Sequence, residues 1–236
     1  MRTVWMAVLA ILVMAGGVVA EEPVSLKTQK DKISYIIGLD IGNNLKKQGA
    51  DIDPDTLLRG MKDALSGSKS VLSENEIREV TTAFRQEMAK KQAEETKKVA
   101  EKNKKEGEAF LEENKKKEGV KTLPSGLQYK VITEGSGKSP SESDTVTVNY
   151  KGTFVDGTEF DSSYKRGEPA TFPVKGVIAG WVEALPLMKE GAKWQLFIPP
   201  GLAYGETGAG NAIGPNATLI FEVELISIKD FHKTND

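Results

Sequence analysis

Leu123-Pro124-Ser125-Gly126-Leu127-Gln128-Tyr129-Lys130-Val131-Ile132 is where the chain changes its period. Before it, apolar residues recur every three or four positions, as on one face of a helix. After it they alternate at every second position, as on strands with one buried face. Pro124-Ser125-Gly126 supplies the turn chemistry between the two regimes. Downstream, Asp144-Thr145-Val146-Thr147-Val148-Asn149-Tyr150 alternates clearly, and Asp156-Gly157 marks a tight hairpin turn. Further strands are expected at Lys193 to Pro199 and Ala217 to Ile226, with a short helix from Trp181 to Met188 ahead of them. The pattern predicts an α+β domain over 121–236, an antiparallel sheet wrapped around a short helix.

Upstream, three helices are expected. Ile33, Ile36, Ile37, Ile41 and Leu45 mark the first, which Gly49 stops. The second opens at Asp53-Pro54, an N-cap followed by proline at the first helical position, and carries Leu57, Leu58, Met61 and Leu65. The third opens with the capping box Ser73-Glu74-Asn75-Glu76 and shows Ile77, Val80, Phe84 and Met88 on one face. Past Met88 its apolar stripe fades into interleaved Lys and Glu, with Glu94–Lys98, Glu101–Lys105, Glu112–Lys116 and Glu113–Lys117 at the favoured i,i+4 spacing. This stretch, 89–120, reads as a solvated linker helix, with Asn103 and Gly107 as weak points where it could kink or fray. A basic membrane-binding helix competes with that reading, but the glutamates leave no one-sided basic face. The three helices of 21–88 make a thin core for an independent unit, so an all-α dimerisation domain that pairs with a second copy is expected.

Residues 1–20 begin with Met1-Arg2, run through an apolar core from Val4 to Met14 and end in small residues at Gly16-Gly17-Val18-Val19-Ala20. This is the layout of a signal peptide cleaved before Glu21. An uncleaved anchor is the other reading, but spanning takes about 20 apolar residues and this core is shorter. A periplasmic or secreted protein with no stable membrane anchor follows.

Composition removes several chemistries. There is no cysteine, and His232 is the single histidine, so thiol nucleophiles, Cys/His zinc sites and a histidine triad in the core have no residues to build them. The formal net charge of -2 offers no broad positive field, which disfavours nucleic acid as a partner. No metal or cofactor is expected.

Five segments carry more specific information. They are Val148-Asn149-Tyr150-Lys151-Gly152, Asp156-Gly157-Thr158-Glu159-Phe160-Asp161-Ser162-Ser163, Val177-Ile178-Ala179-Gly180-Trp181, Pro200-Gly201-Leu202-Ala203-Tyr204-Gly205, and Ala217 to Leu225. In this order and spacing they resemble the FKBP-type prolyl isomerases over about residues 124–230. The helical N-terminal half with its leader is further similar to the Mip-like and FkpA-like dimeric bacterial subgroup.

The resemblance implies that Tyr150, Phe160, Asp161, Val177, Ile178, Trp181, Tyr204, Ile213 and Phe221 line a substrate cleft, with Trp181 as its floor. It implies that Arg166 braces Asp161 and that Ala170 occupies a wall position that is often aromatic, leaving the cleft wider there. It also implies macrolide inhibitors and, as substrates, proline-containing unfolded or partly folded polypeptides.

Taken singly, Tyr150, Phe160, Trp181 and Phe221 read equally as core aromatics, and Asp161-Ser162-Ser163 as a turn. Jointly they suit a reaction without a nucleophile, rotation about an X-Pro amide. An apolar pocket favours the twisted, less dipolar amide, while the Ile178 N–H, the Tyr204 hydroxyl and Asp161 fix its geometry. The expected function is therefore acceleration of the folding of exported proteins, with chaperone activity as a V-shaped homodimer. The alternative is a holdase chaperone with secondary isomerase activity.

Overall fold

A computed structural model describes residues 26–229; the leader expected over 1–20 and His232 lie outside the described residues. The chain divides between Ser70 and Val71 into two compact units.

The first unit holds α1 (Gln29–Lys47) and α2 (Pro54–Ser66). Thr28 caps α1 in a reciprocal box with Asp31, and Asp53 caps α2 by accepting from the Thr56 N–H. Neither helix buries a residue, and Ile33, Ile36, Ile37 and Leu39 of α1 are all about half exposed or more.

The second unit opens with α3 (Glu74–Asn114), 41 residues long and capped by the Ser73–Glu76 box. At ~1.5 Å per residue it extends about 60 Å. It runs unbroken through Asn103 and Gly107, the weak points where it could have kinked or frayed, and the reason is tertiary contact: the end of this helix is packed, not solvated. Asn103 Nδ2 donates to the Pro215 carbonyl at 2.8 Å. Phe110 lies against Phe197, ring centres 5.9 Å apart. Asn114, 1% exposed, donates through Nδ2 to Gln128 Oε1 at 3.0 Å, and Gln128 Nε2 donates to the Leu111 carbonyl at 2.9 Å. Gly107 is required by close approach, since a Cβ there would stand 2.2 Å from Thr218 Oγ1. The ion pairs also shift by one residue: Glu112 and Glu113 meet Lys115 and Lys116, three residues on.

Among the described residues seven antiparallel strands follow: β1 (Val120–Thr122), β2 (Gln128–Thr133), β3 (Thr145–Phe154), β4 (Glu159–Ser162), β5 (Ala170–Pro173), β6 (Lys193–Ile198) and β7 (Leu219–Lys229). Their order is β1-β2-β6-β7-β3-β4, with β5 also on β3. The strand expectations hold; β1 and β5, three and four residues long, are additions. Between β4 and β5 the chain makes the single turn α4 (Ser163–Arg166). Beyond β5 comes α5 (Ala179–Ala184), continued by a 3-10 turn to Leu187. Trp181, Ala184, Leu185 and Met188 pack with Val146, Val148, Leu196, Val223 and Leu225 into one core. Burial of these side chains supplies the main stabilisation, at ~1.5–3 kcal/mol each.

Candidate active site

The strand β3 builds the site because two different partners share one of its edges. Its first half pairs with β5, from Thr145↔Pro173 to Val148↔Ala170, and its second half with β4, from Lys151↔Ser162 to Thr153↔Glu159. Between them the ladder is interrupted and α4 turns away. Ser163 fills the interruption: its hydroxyl accepts from the Tyr150 N–H at 2.9 Å, so a buried backbone donor stays satisfied where no strand lies opposite. The gap leaves Tyr150, Asp161 and Arg166 beside one another.

Tyr150 Oη donates to Asp161 Oδ2 at 2.5 Å, Arg166 Nη1 donates to Asp161 Oδ1 at 2.6 Å, and Arg166 Nη2 donates to Tyr150 Oη at 2.7 Å. The Arg166 guanidinium also lies 5.3 Å from the Tyr150 ring centre. Asp161 is thus bonded by three donors, the third being the Ser162 N–H, which donates to Oδ1 at 2.8 Å. Burial opposes its ionisation, but the hydrogen bonds from Tyr150 and Arg166 and the Arg166 charge outweigh that and hold the carboxyl below its usual range. Burial, then the bond to the carboxylate, pushes the Tyr150 hydroxyl above its ordinary value. At neutral pH the group is carboxylate, phenol and guanidinium.

Aromatic rings make the rest of the cleft. Trp181, 4% exposed, meets Tyr150, Phe172 and Phe221 edge-on, with ring centres 5.5, 6.1 and 5.3 Å away. Phe160 meets Phe221 edge-on at 5.5 Å. Gly152, across from Asp161, permits this: a Cβ on it would stand 2.6 Å from Phe160 Cζ and 2.8 Å from Phe221 Cε1. The cavity holds about 410 Å³ and is lined by Tyr150, Phe160, Asp161, Phe172, Gly176, Val177, Ile178, Trp181, Ala203, Tyr204 and Phe221. Ile178 precedes α5 as its N-cap, and its N–H has no acceptor among the described residues. The Tyr204 side chain is exposed on the rim.

Of the residues singled out from the sequence, the structure gathers Tyr150, Phe160, Asp161, Val177, Ile178, Trp181, Tyr204 and Phe221 around this cavity, with Arg166 behind Asp161. It does not bring Ala170 or Ile213 to the lining. Ile213 is buried in the core cluster, bridged to Ala209, and Ala170 is a short, partly buried side chain at the start of β5, opposite Val148. Phe172, two residues on and on the same strand face, lines the cavity as an aromatic wall. The sequence signal for it is a single period-2 step from Ala170 in a strand four residues long.

Comparison with known proteins bears directly on this arrangement. A family model described as "FKBP-type peptidyl-prolyl cis-trans isomerase" matches residues 136–226, and one described as "Domain amino terminal to FKBP-type peptidyl-prolyl isomerase" matches 30–131. The "Outer membrane protein MIP" of Legionella longbeachae is 50% identical over 218 residues, covering 92% of this chain and 94% of the relative. The "Peptidyl-prolyl cis-trans isomerase Mip" of Coxiella burnetii is 50% identical over 213 residues, covering 90% and 93%. The crystal structure of FkpA from Escherichia coli superposes with a TM-score of 0.67 at 43% identity, covering 87% of this chain and 99% of that one.

Proposed function

The chain belongs to the FKBP-type peptidyl-prolyl cis-trans isomerases, and on that premise we propose that the Tyr150–Asp161–Trp181–Phe221 cleft is where it turns the X-Pro bond. One observation carries this assignment above the others: a cavity walled by aromatic rings opens beside a carboxylate held ionised by Tyr150 and Arg166.

The planar amide owes its barrier of ~18–20 kcal/mol to resonance. Rotation abolishes that resonance and diminishes the amide dipole. A cavity of ring edges solvates the planar, more dipolar ground state less well than water does, and this penalty shrinks as the bond twists. The proline ring sits over Trp181. The Ile178 N–H and the Tyr204 hydroxyl donate to carbonyls on either side of the twisting bond, and Asp161 stands by the carbonyl that rotates. Because the Asp161 carboxylate is already held by Tyr150 and Arg166, it needs no reorganisation as the twist develops. No covalent intermediate arises.

The substrates follow from this chemistry as proline-containing unfolded or partly folded chains, with macrolides able to compete for the same apolar cavity. A cell-envelope setting, reached by cleavage of the leader, agrees with a relative named as an outer membrane protein. Among the described residues no helix is long and apolar enough to cross a membrane. The half-exposed apolar side chains of α1, together with Ile77, Val80 and Phe84 of α3, support pairing of two copies through the N-terminal helices. Such a dimer offers two cleft domains to one client chain, which supports chaperone action beside isomerisation.

Exchange NMR on a short X-Pro peptide tests the assignment. The mature chain accelerates cis/trans exchange, and Trp181→Leu and Asp161→Asn both reduce the acceleration. Unchanged rates in both variants would move the reaction elsewhere.

A further inference from the structure

Tyr204 stands at one end of a loop whose other end is pressed against α3. The loop leaves the cleft rim at Ala203 and Tyr204 and rejoins the sheet at Leu219. Its own backbone closes it: the Gly208 N–H donates to the Tyr204 carbonyl at 3.1 Å, and the Asn216 N–H to the Gly205 carbonyl at 2.8 Å. Ala209 and Ile213 exchange both of their backbone bonds, at 2.8 and 3.1 Å. A loop knitted in this way shifts as a unit, so whatever fixes residues 214–218 also fixes Tyr204.

What fixes them is α3. Asn103 Nδ2 bonds the Pro215 carbonyl at 2.8 Å, and one turn along the same helix face Gly107 lies against Thr218. Thr218 is 3% exposed and its Oγ1 has no hydrogen-bond partner among the described residues, so the helix is seated here on a buried polar group that it does not satisfy. Asn103 and Gly107 are both poorer helix formers than the lysines and glutamates around them. Their presence four residues apart, on the face that meets the loop, is a local conflict with helix formation that the loop contact resolves.

We propose that Asn103 and Gly107 are positioning residues for the isomerisation, setting the Tyr204 hydroxyl at the cleft rim through the 204–218 loop. The proposal rests on Tyr204 as a donor to substrate. Loosening the contact leaves the hydroxyl present but spread over more positions. Tyr204 is presented less often in the geometry that the twisted amide needs, so kcat falls more than KM changes.

A double-mutant cycle in the full chain tests this, using Asn103→Ala, Tyr204→Phe and the pair, with kcat and KM measured on one X-Pro peptide. Alanine is the better helix former at position 103, so loss of the helix is not expected, and the unfolding midpoint reports it independently. Tyr204→Phe is expected to lower kcat/KM, and Asn103→Ala to lower it about threefold to tenfold, mainly in kcat. In the Tyr204→Phe background the Asn103 change is expected to have less than about a 1.5-fold effect. Gly107→Ala, which drives a methyl group into Thr218, is expected to behave as Asn103→Ala does. If Tyr204→Phe is impaired but Asn103→Ala is silent or fully additive with it, the positioning role is overturned while the cleft assignment stands. Full activity of Tyr204→Phe overturns both the donor role and the proposal built on it.

Discussion

Arg166 Nη1 stands 2.6 Å from Asp161 Oδ1, while the same guanidinium reaches Tyr150 Oη through Nη2 at 2.7 Å. One side chain from the single turn α4 thereby holds Tyr150 and Asp161 together in a mainly apolar cleft, and the electrostatics at Asp161 follow from that pair of contacts.

Asp161 has its folded pKa depressed, so its favourable interactions are present above the ordinary carboxylate value and are lost as pH falls through the lower folded one. Tyr150, raised, stays protonated beyond its ordinary range. Isomerisation is therefore expected to be flat from about pH 5 to pH 9, with an acid limb below the usual range near 4. Arg166→Ala should move that limb upward, measured by exchange NMR across pH.

The aromatic wall belongs to Phe172 and not to Ala170. Phe172→Ala should weaken peptide binding by about tenfold, the equivalent of ~1.4 kcal/mol, and Ala170→Ser should leave KM unchanged. Kinetics on one peptide series separate the two.

The buried amide pair at the end of α3 predicts a thermodynamic asymmetry. Asn114→Ala leaves Gln128, 3% exposed, short of a donor, at a cost of about 1–3 kcal/mol and a fall of several degrees in the unfolding midpoint. Replacing Asn114 and Gln128 together by leucine should cost less than Asn114→Ala, since no amide is left unpaired. Calorimetry of the three chains decides.

The apolar face of α1 predicts the oligomeric state. Ile36 is 63% exposed, and Ile36→Lys is expected to convert a dimer into a monomer in light scattering without lowering turnover of a short peptide. A wild-type monomer at micromolar concentration would contradict the paired arrangement.

The alternation of β3 and β7, the hairpin at Asp156-Gly157 and the N-caps of α2 and α3 were legible in the sequence, because each is a local pattern of residue types; the Thr28 cap of α1 was not read. The docking of α3 was not. Its contact stripe, Asn103, Gly107, Phe110 and Asn114, has helical spacing but is built mostly from an amide, a glycine and another amide, so hydrophobic periodicity reads it as solvent face. The Phe172 wall was missed for a related reason, since a four-residue strand ending in proline gives little alternation to read.

The cleft assignment is tested most directly by one exchange-NMR measurement on an X-Pro peptide, comparing the full chain with Trp181→Leu. Uncatalysed exchange takes tens to hundreds of seconds. Wild type at catalytic concentration should shorten this by orders of magnitude, and Trp181→Leu, folded by circular dichroism, should lose most of that acceleration. A folded Trp181→Leu chain as fast as wild type would show that the X-Pro bond turns somewhere other than over Trp181.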